Sequence, residues 1–196
     1  MVTPDLPAGW TLTGERRLLQ SPLLGLVSSV QCPGSVIVQL LDAMRAVRSA
    51  GITVVGGFHS PVERECLELL LAGTQPIVLV QARATGRLSA ALRNAMNDGR
   101  LAVLSPTVPG AARMSRALAT ARNELVDQLA AALLVPYAAP GGATEQLVER
   151  TLLAGKDVLT IADPSNSHIV TAGARAVTPA GASGIAESLL AMRRTS

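Results

Sequence analysis

Short aliphatic runs recur along this chain, and each passes through a glycine, proline or serine turn into a stretch long enough for a helix. Ile52-Thr53-Val54-Val55 stops at Gly56-Gly57, and Leu133-Leu134-Val135 stops at Pro136. Runs that are apolar throughout suit strands covered on both faces, and strands alternating with helices make a doubly wound sheet. Composition agrees: 48% of residues are hydrophobic but only 2% aromatic, so the core is built of Leu, Val, Ile and Ala. The expected architecture is α/β, with a mainly parallel sheet and helices on both faces.

The turn residues predict strands over 24–28, 52–55, 76–80, 101–104, 132–137 and 157–161. Between them the pattern predicts a helix entered through Cys32-Pro33-Gly34-Ser35 and running to Ala50, then helices over 61–72, 87–98, 115–129 and 144–154. Pro61 suits a first helical position, and Gly51 suits a helix C-terminus. Residues 105–114 read as a loop, Ser165-Asn166-Ser167 as the cap of one helical turn, 176–177 as a last short strand and 184–192 as a final helix. Residues 1–20 read as a lead-in strand or arm. With no repeat and no linker, 1–196 reads as a single domain.

Bulk properties narrow the function. No apolar run reaches membrane-spanning length and no basic-then-apolar segment opens the chain, so the expected location is cytoplasmic with no membrane partner. The net charge of +3 is spread along the chain, 16 of the 17 basic residues being Arg beside the single Lys156, so it forms no basic tail or stripe. Cys32 and Cys66 make no CxxC pattern, and His59 and His168 have no metal-ligand spacing. The sequence calls for no metal and no cofactor.

Three strand-to-helix turns place small or hydroxyl residues before a helix start, where unpaired N–H groups favour an anion. They are the turn of Ser28, Ser29 and Gly34, the turn of Gly56, Gly57, Phe58, His59 and Ser60, and the turn of Pro140, Gly141, Gly142 and Thr144. None is a P-loop or a GxGxxG fingerprint. Arg122 and Asn123 lie on the preceding helix; charged helix residues are commonly solvated, and the alternative is a guanidinium forking onto a phosphate. His59 reads either as a phosphate or base donor or as a hydrogen-bonded loop histidine. Phe58 reads as a core plug before a stacking platform. Cys32 reads as a small buried residue before a reactive thiol. Glu63, Glu145 and Glu149 are placed for acid–base chemistry, although a glutamate in a first helical turn is ordinarily a cap.

Four stretches together resemble the Rossmann-like domain of the DprA/Smf family of DNA-processing proteins. Val54-Val55-Gly56-Gly57-Phe58-His59-Ser60 stands where that family has VVSGLARG, and Ala121-Arg122-Asn123-Glu124-Leu125-Val126 where it has RNRIIAGLSD. Ala154-Gly155-Lys156-Asp157-Val158-Leu159 is similar to QGREVFAV, and Asn166 with Ile169-Val170-Thr171-Ala172-Gly173-Ala174 to NRLIREGA. The resemblance spans about residues 12–190 and implies a Rossmann-like sheet, a nucleotide or single-stranded DNA partner and a homodimer. Three departures remove positive charge: Ser28-Ser29-Val30 replaces Gly-Ser-Arg, Pro61-Val62-Glu63-Arg64-Glu65-Cys66 replaces the GIDAAAH run, and Glu124 replaces the second arginine of Arg-Asn-Arg. The expected domain content is the Rossmann-like domain without a winged-helix segment. Pro140 to Glu145 also resembles the PGGxGTxxE motif of the LOG-type phosphoribohydrolases, but the motif's glutamate position falls on Leu147. Binding of a nucleotide or nucleic-acid phosphate is therefore the first expectation. Glycosidic-bond hydrolysis through Glu145 or Glu149 and nucleotide sensing without catalysis are the alternatives.

Overall fold

The computed structural model describes residues 6–84, 86–107 and 115–178. The strands are β1 (Trp10–Gly14), β2 (Leu24–Leu26), β3 (Val54–Gly56), β4 (Ile77–Val80), β5 (Leu101–Pro106), β6 (Ala132–Leu134), β7 (Val158–Ile161) and β8 (Arg175–Val177). The helices are α1 (Gly34–Ser49), α2 (Pro61–Leu71), α3 (Ala90–Asn97), α4 (Arg116–Leu129), α5 (Ala143–Leu153) and the short α6 (Ser167–Thr171). One sheet runs in the order β1-β5-β4-β3-β2-β6-β7-β8, parallel except for β1, which lies antiparallel on β5.

The strand residues alternate between two aliphatic layers. Leu24, Leu26, Val54, Ile77, Leu79 and Leu134 pack with α1 and α2 through Val36, Leu40, Val47, Cys66 and Leu70. Val55, Val78, Val80, Leu133 and Val135 pack on the other face with α4 and α5 through Leu125, Val126, Leu147 and Val148. Both faces of each central strand are thus dry, which is why the strands read as unbroken apolar runs. Gly25 is where α4 comes closest to the sheet: a Cβ there would stand 2.7 Å from Leu133 Cδ1 and 2.8 Å from the Ala130 Cβ. Gly25→Ala is therefore expected to cost about 1–3 kcal/mol through overpacking, read as a lower midpoint in urea with an unchanged slope.

Local chemistry fixes the element ends. Ser60 and Glu63 form a reciprocal capping box on α2 behind Pro61 at its first position. The Ser89 and Ser115 hydroxyls accept the Leu92 and Leu118 N–H groups, so α3 starts three residues later than the helix predicted from Arg87. The lead-in segment is a paired strand: Trp10 stands opposite Pro106 and Thr11 opposite Ser105, which draws Ser105 and Pro106 out of the predicted loop and into β5. The remainder of that loop, 108–114, and the predicted helix 184–192 lie outside the described residues. Lys156 Nζ donates to the Asp127 carbonyl and pairs with its carboxylate at 3.2 Å, joining the C-terminal ends of α4 and α5.

The chain winds outward from β2 through β3, β4 and β5, then returns to the other side of β2 with β6. The loops after β2 and β6 consequently diverge to opposite faces. Ligands of open α/β sheets bind in the crevice at such a switch point.

Candidate functional site

A cleft of about 530 Å³ opens at the carboxyl ends of β2, β3 and β6. The first two turns supply Ser28, Ser29, His59 and Ser60, the third supplies Thr144, and α4 supplies Arg122 and Asn123. With Glu63 of α2, the topology thus gathers eight of the residues singled out in the sequence. Gly57 belongs to the wall through its missing side chain: a Cβ there would stand 2.4 Å from Arg122 Nε and 2.9 Å from Cζ, so the guanidinium lies against bare backbone.

Arg122 departs from the solvated helix face expected of it. It is only 7% exposed, its Nε and one terminal nitrogen donate to Asn123 Oδ1 at 3.0 and 2.9 Å, and among the described residues no carboxylate lies within ion-pairing distance. Burial pulls its proton affinity down, while the negative charge of Glu63 nearby opposes that shift. An arginine remains charged under such a shift. The result is a desolvated cation balanced by one neutral amide. Beside it, α5 begins at Gly142 with no side-chain cap. The first-turn N–H groups of α5 therefore keep the partial positive charge of a helix start, and Thr144 lines the same cleft.

Of the other two helix starts, that of α2 is met by a carboxylate of the chain itself, whereas α1 begins at Pro33 with no side-chain cap. Glu63 accepts from Ser28 N at 2.7 Å, His59 N at 2.7 Å and Ser60 N at 3.1 Å, and is only 3% exposed. This corrects its reading as an acid–base group: the carboxylate is spent on three backbone donors. Phe58, at φ 46°, takes the left-handed conformation that turns the next two N–H groups toward that one carboxylate, a nest-like arrangement. Its ring is buried against Gly56 as a core plug and lies outside the cleft lining. Near the start of α1, Ser35 Oγ donates to Asp163 Oδ2 at 2.7 Å. The Ser165 hydroxyl and N–H, with the Ser35 hydroxyl, hold the Asp163 carboxyl below its usual range. Gly34 stands in open space away from the cleft. Burial pushes the Cys32 thiol up to about 11, although the Ser28 hydroxyl beside it pulls the other way, so it is no thiolate nucleophile.

The Pro140, Gly141 and Gly142 backbone lies behind the lining. Gly141 N donates to Glu145 Oε2, and Glu145 Oε1 stands 3.4 Å from His168 Nε2, which also meets the Ala138 carbonyl at 3.0 Å. Ser29 Oγ accepts Ala139 N at 2.9 Å and ties the first turn to the third. Glu145 thus braces its turn. Glu149, one helical turn later, is exposed and lines a separate hollow with Leu152, Leu153 and Ala172. The two carboxylates do not converge on a common centre.

Sequence reasoning missed Arg116, Ala119 and Thr120, which line the cleft. Their spacing from Asn123 is helical, so extending the Arg122-Asn123 face one turn back would have found them. Asn166 stands at the N-cap position of α6 as expected but makes no side-chain cap there: it is fully buried, with its Nδ2 donating to Pro136 O at 2.7 Å and Ile161 O at 3.0 Å, and Asp163 accepts Ser165 N at 3.0 Å in the 3-10 turn before it.

Fold and cleft define a Rossmann-like α/β protein with an anion-favouring crevice at the switch point of its sheet. No protein-family model and no curated protein sequence matches the chain. Among solved structures it has the fold of the DprA Rossmann domain. It is similar to DNA processing protein A from Streptococcus pneumoniae with a TM-score of 0.71 and 20% identity, over 86% of this chain and 62% of that one. It matches DNA processing protein A from Helicobacter pylori, described with a single-stranded DNA binding mode, with a TM-score of 0.76 and 15% identity over 95% and 88% of the two chains. The molybdenum cofactor carrier protein of Chlamydomonas reinhardtii is also similar, with a TM-score of 0.61 and 18% identity over 87% and 99%. This chain therefore spans 62% of the pneumococcal protein's length. Among the described residues no helix is long and apolar enough to cross a membrane, and no three metal-ligating side chains cluster.

Proposed function

We propose that this protein binds the phosphate of a nucleotide or of single-stranded nucleic acid in the switch-point cleft, without hydrolysing it, and serves DNA processing as a cytoplasmic homodimer built on one domain. The observation that carries the reading is Arg122: a buried guanidinium with no carboxylate partner among the described residues, facing an open cleft beside a helix start without a side-chain cap. A buried charge is costly unless paired, and a phosphate would supply both the charge and the acceptor oxygens. Ser29, Asn123 and Thr144 are the polar groups alongside, and the single-stranded DNA binding of the Helicobacter DprA supports the same ligand class.

The test is a binding panel of nucleoside monophosphates and a labelled single-stranded oligonucleotide at low and moderate salt. Oligonucleotide binding whose log affinity falls steeply with log salt supports the nucleic-acid arm, since each phosphate contact contributes a slope of about −0.7 on single strands. Stabilisation by a mononucleotide alone supports a nucleotide ligand. Failure of every ligand to bind overturns the proposal, and release of free base overturns its non-catalytic part.

A further inference from the structure

Three strand-to-helix turns open toward one end of the sheet, yet their positive ends are not equally available. At α2 the Glu63 carboxylate takes the N–H groups of Ser28, His59 and Ser60 together. Two of these belong to the turn that Glu63 caps, but Ser28 lies on the neighbouring strand's loop, 35 residues away in sequence. An ordinary capping box reaches back to its own N-cap; this one reaches across the switch point as well. Two carboxylate oxygens receiving three converging N–H groups reproduce the way backbone amides cradle a phosphate.

Further observations mark this spot as part of the ligand cleft. Glu63, Ser28, His59 and Ser60 all line it. Ser28 Oγ, in a residue 8% exposed, has no hydrogen-bond partner of good geometry, the Cys32 thiol alongside being only a weak one. The negative charge of Glu63 is felt at Arg122 on the cleft's other wall. By contrast the start of α5 has no side-chain cap, and its first-turn Glu145 takes the N–H of Gly141, which does not line the cleft.

Building on the proposed phosphate-binding reading, we infer that Glu63 is a specificity-determining residue: it occupies one anion cradle of the cleft in place of a ligand and so limits the cleft to a single anionic group, held between Arg122 and the start of α5. The class of ligand that fits presents one phosphate to the cleft, with an uncharged body against Val30, Ala119, Ala139 and Ala143, rather than a polyphosphate.

The experiment uses the full chain and inorganic phosphate as probe. Calorimetric titration is expected to give one phosphate per chain for the wild type and two for Glu63→Ala, in which Ser28 N, His59 N and Ser60 N are released. In phosphate-free buffer Glu63→Ala has a lowered Tm, and adding phosphate restores it by more than it raises the wild type. Glu63→Gln keeps the side chain's length and removes its charge; it stays at one phosphate per chain with a several-fold tighter Kd, because the repulsion is gone. If Glu63→Ala folds only when phosphate is present, that rescue supports the inference equally. One phosphate per chain in both wild type and Glu63→Ala, with no excess rescue and an unchanged Kd for Glu63→Gln, overturns the inference and leaves the phosphate-binding reading standing. Two phosphates per wild-type chain also overturn it. No phosphate bound by any of the three proteins overturns both.

Discussion

Arg122→Met is expected to weaken binding of inorganic phosphate or a nucleoside monophosphate by about 10- to 100-fold while leaving Tm unchanged or higher. The two halves of this expectation have one origin. A hydrogen bond from a charged donor contributes about 1.5–3 kcal/mol, and each 1.4 kcal/mol is about tenfold in affinity. In the free protein the same guanidinium is a liability, being 7% exposed and balanced only by Asn123 Oδ1. Replacing a poorly compensated buried charge by an apolar side chain of similar length is commonly neutral or stabilising. Calorimetry and thermal denaturation on the same preparation check both halves. Loss of affinity together with a large fall in Tm would show that Arg122 holds the fold, and unchanged affinity would remove it from the site.

Asn166→Ala is expected to be a damaging truncation outside the aliphatic layers, costing about 2 kcal/mol. Asn166 is fully buried, and its two amide hydrogens serve the carbonyls of Pro136 and Ile161. Alanine leaves the Pro136 carbonyl without its donor, while the Ile161 carbonyl keeps the Asp163 N–H at 2.8 Å, and an orphaned buried group costs about 1–3 kcal/mol. For a chain of this size, 1 kcal/mol moves Tm by about 2–4 °C, so a fall of about 4–8 °C is expected. Pro136 leaves β6 and Ile161 ends β7, so the amide fastens together the two strand exits that present the Tyr137-to-Gly142 turn. A fall of less than about 2 °C would mean that water replaces the amide at the Pro136 carbonyl, and that this fastening is dispensable.

Much of the architecture was legible because it is local. Unbroken aliphatic runs such as 77–80 and 132–134 are what strands covered on both faces require, and Ser60-Pro61-Val62-Glu63 is a helix start by its own chemistry. The gathering of three turns at one edge was also readable, since strand–helix alternation puts every such turn at the carboxyl end of its strand. Less legible was whatever depends on a partner distant in sequence. Trp10–Gly14 reads as a weak polar segment until Leu101–Pro106 pairs with it.

By itself the sequence determined an aliphatic, doubly wound α/β fold and the small, hydroxyl-rich turns that make helix starts hospitable to anions. Only the tertiary structure decided which of those starts has its turn filled by a carboxylate of the chain itself. Glu63 could be recognised as a cap from its spacing to Ser60, but not as the acceptor of the Ser28 N–H on another strand's loop. Arg122 reads as one more charged helix residue until α4 packs it against the bare backbone of Gly57. Hydrogen-bond periodicity is set by neighbours along the chain, whereas desolvation is set by neighbours in space. It is desolvation that turns one arginine and one uncapped helix into a candidate site.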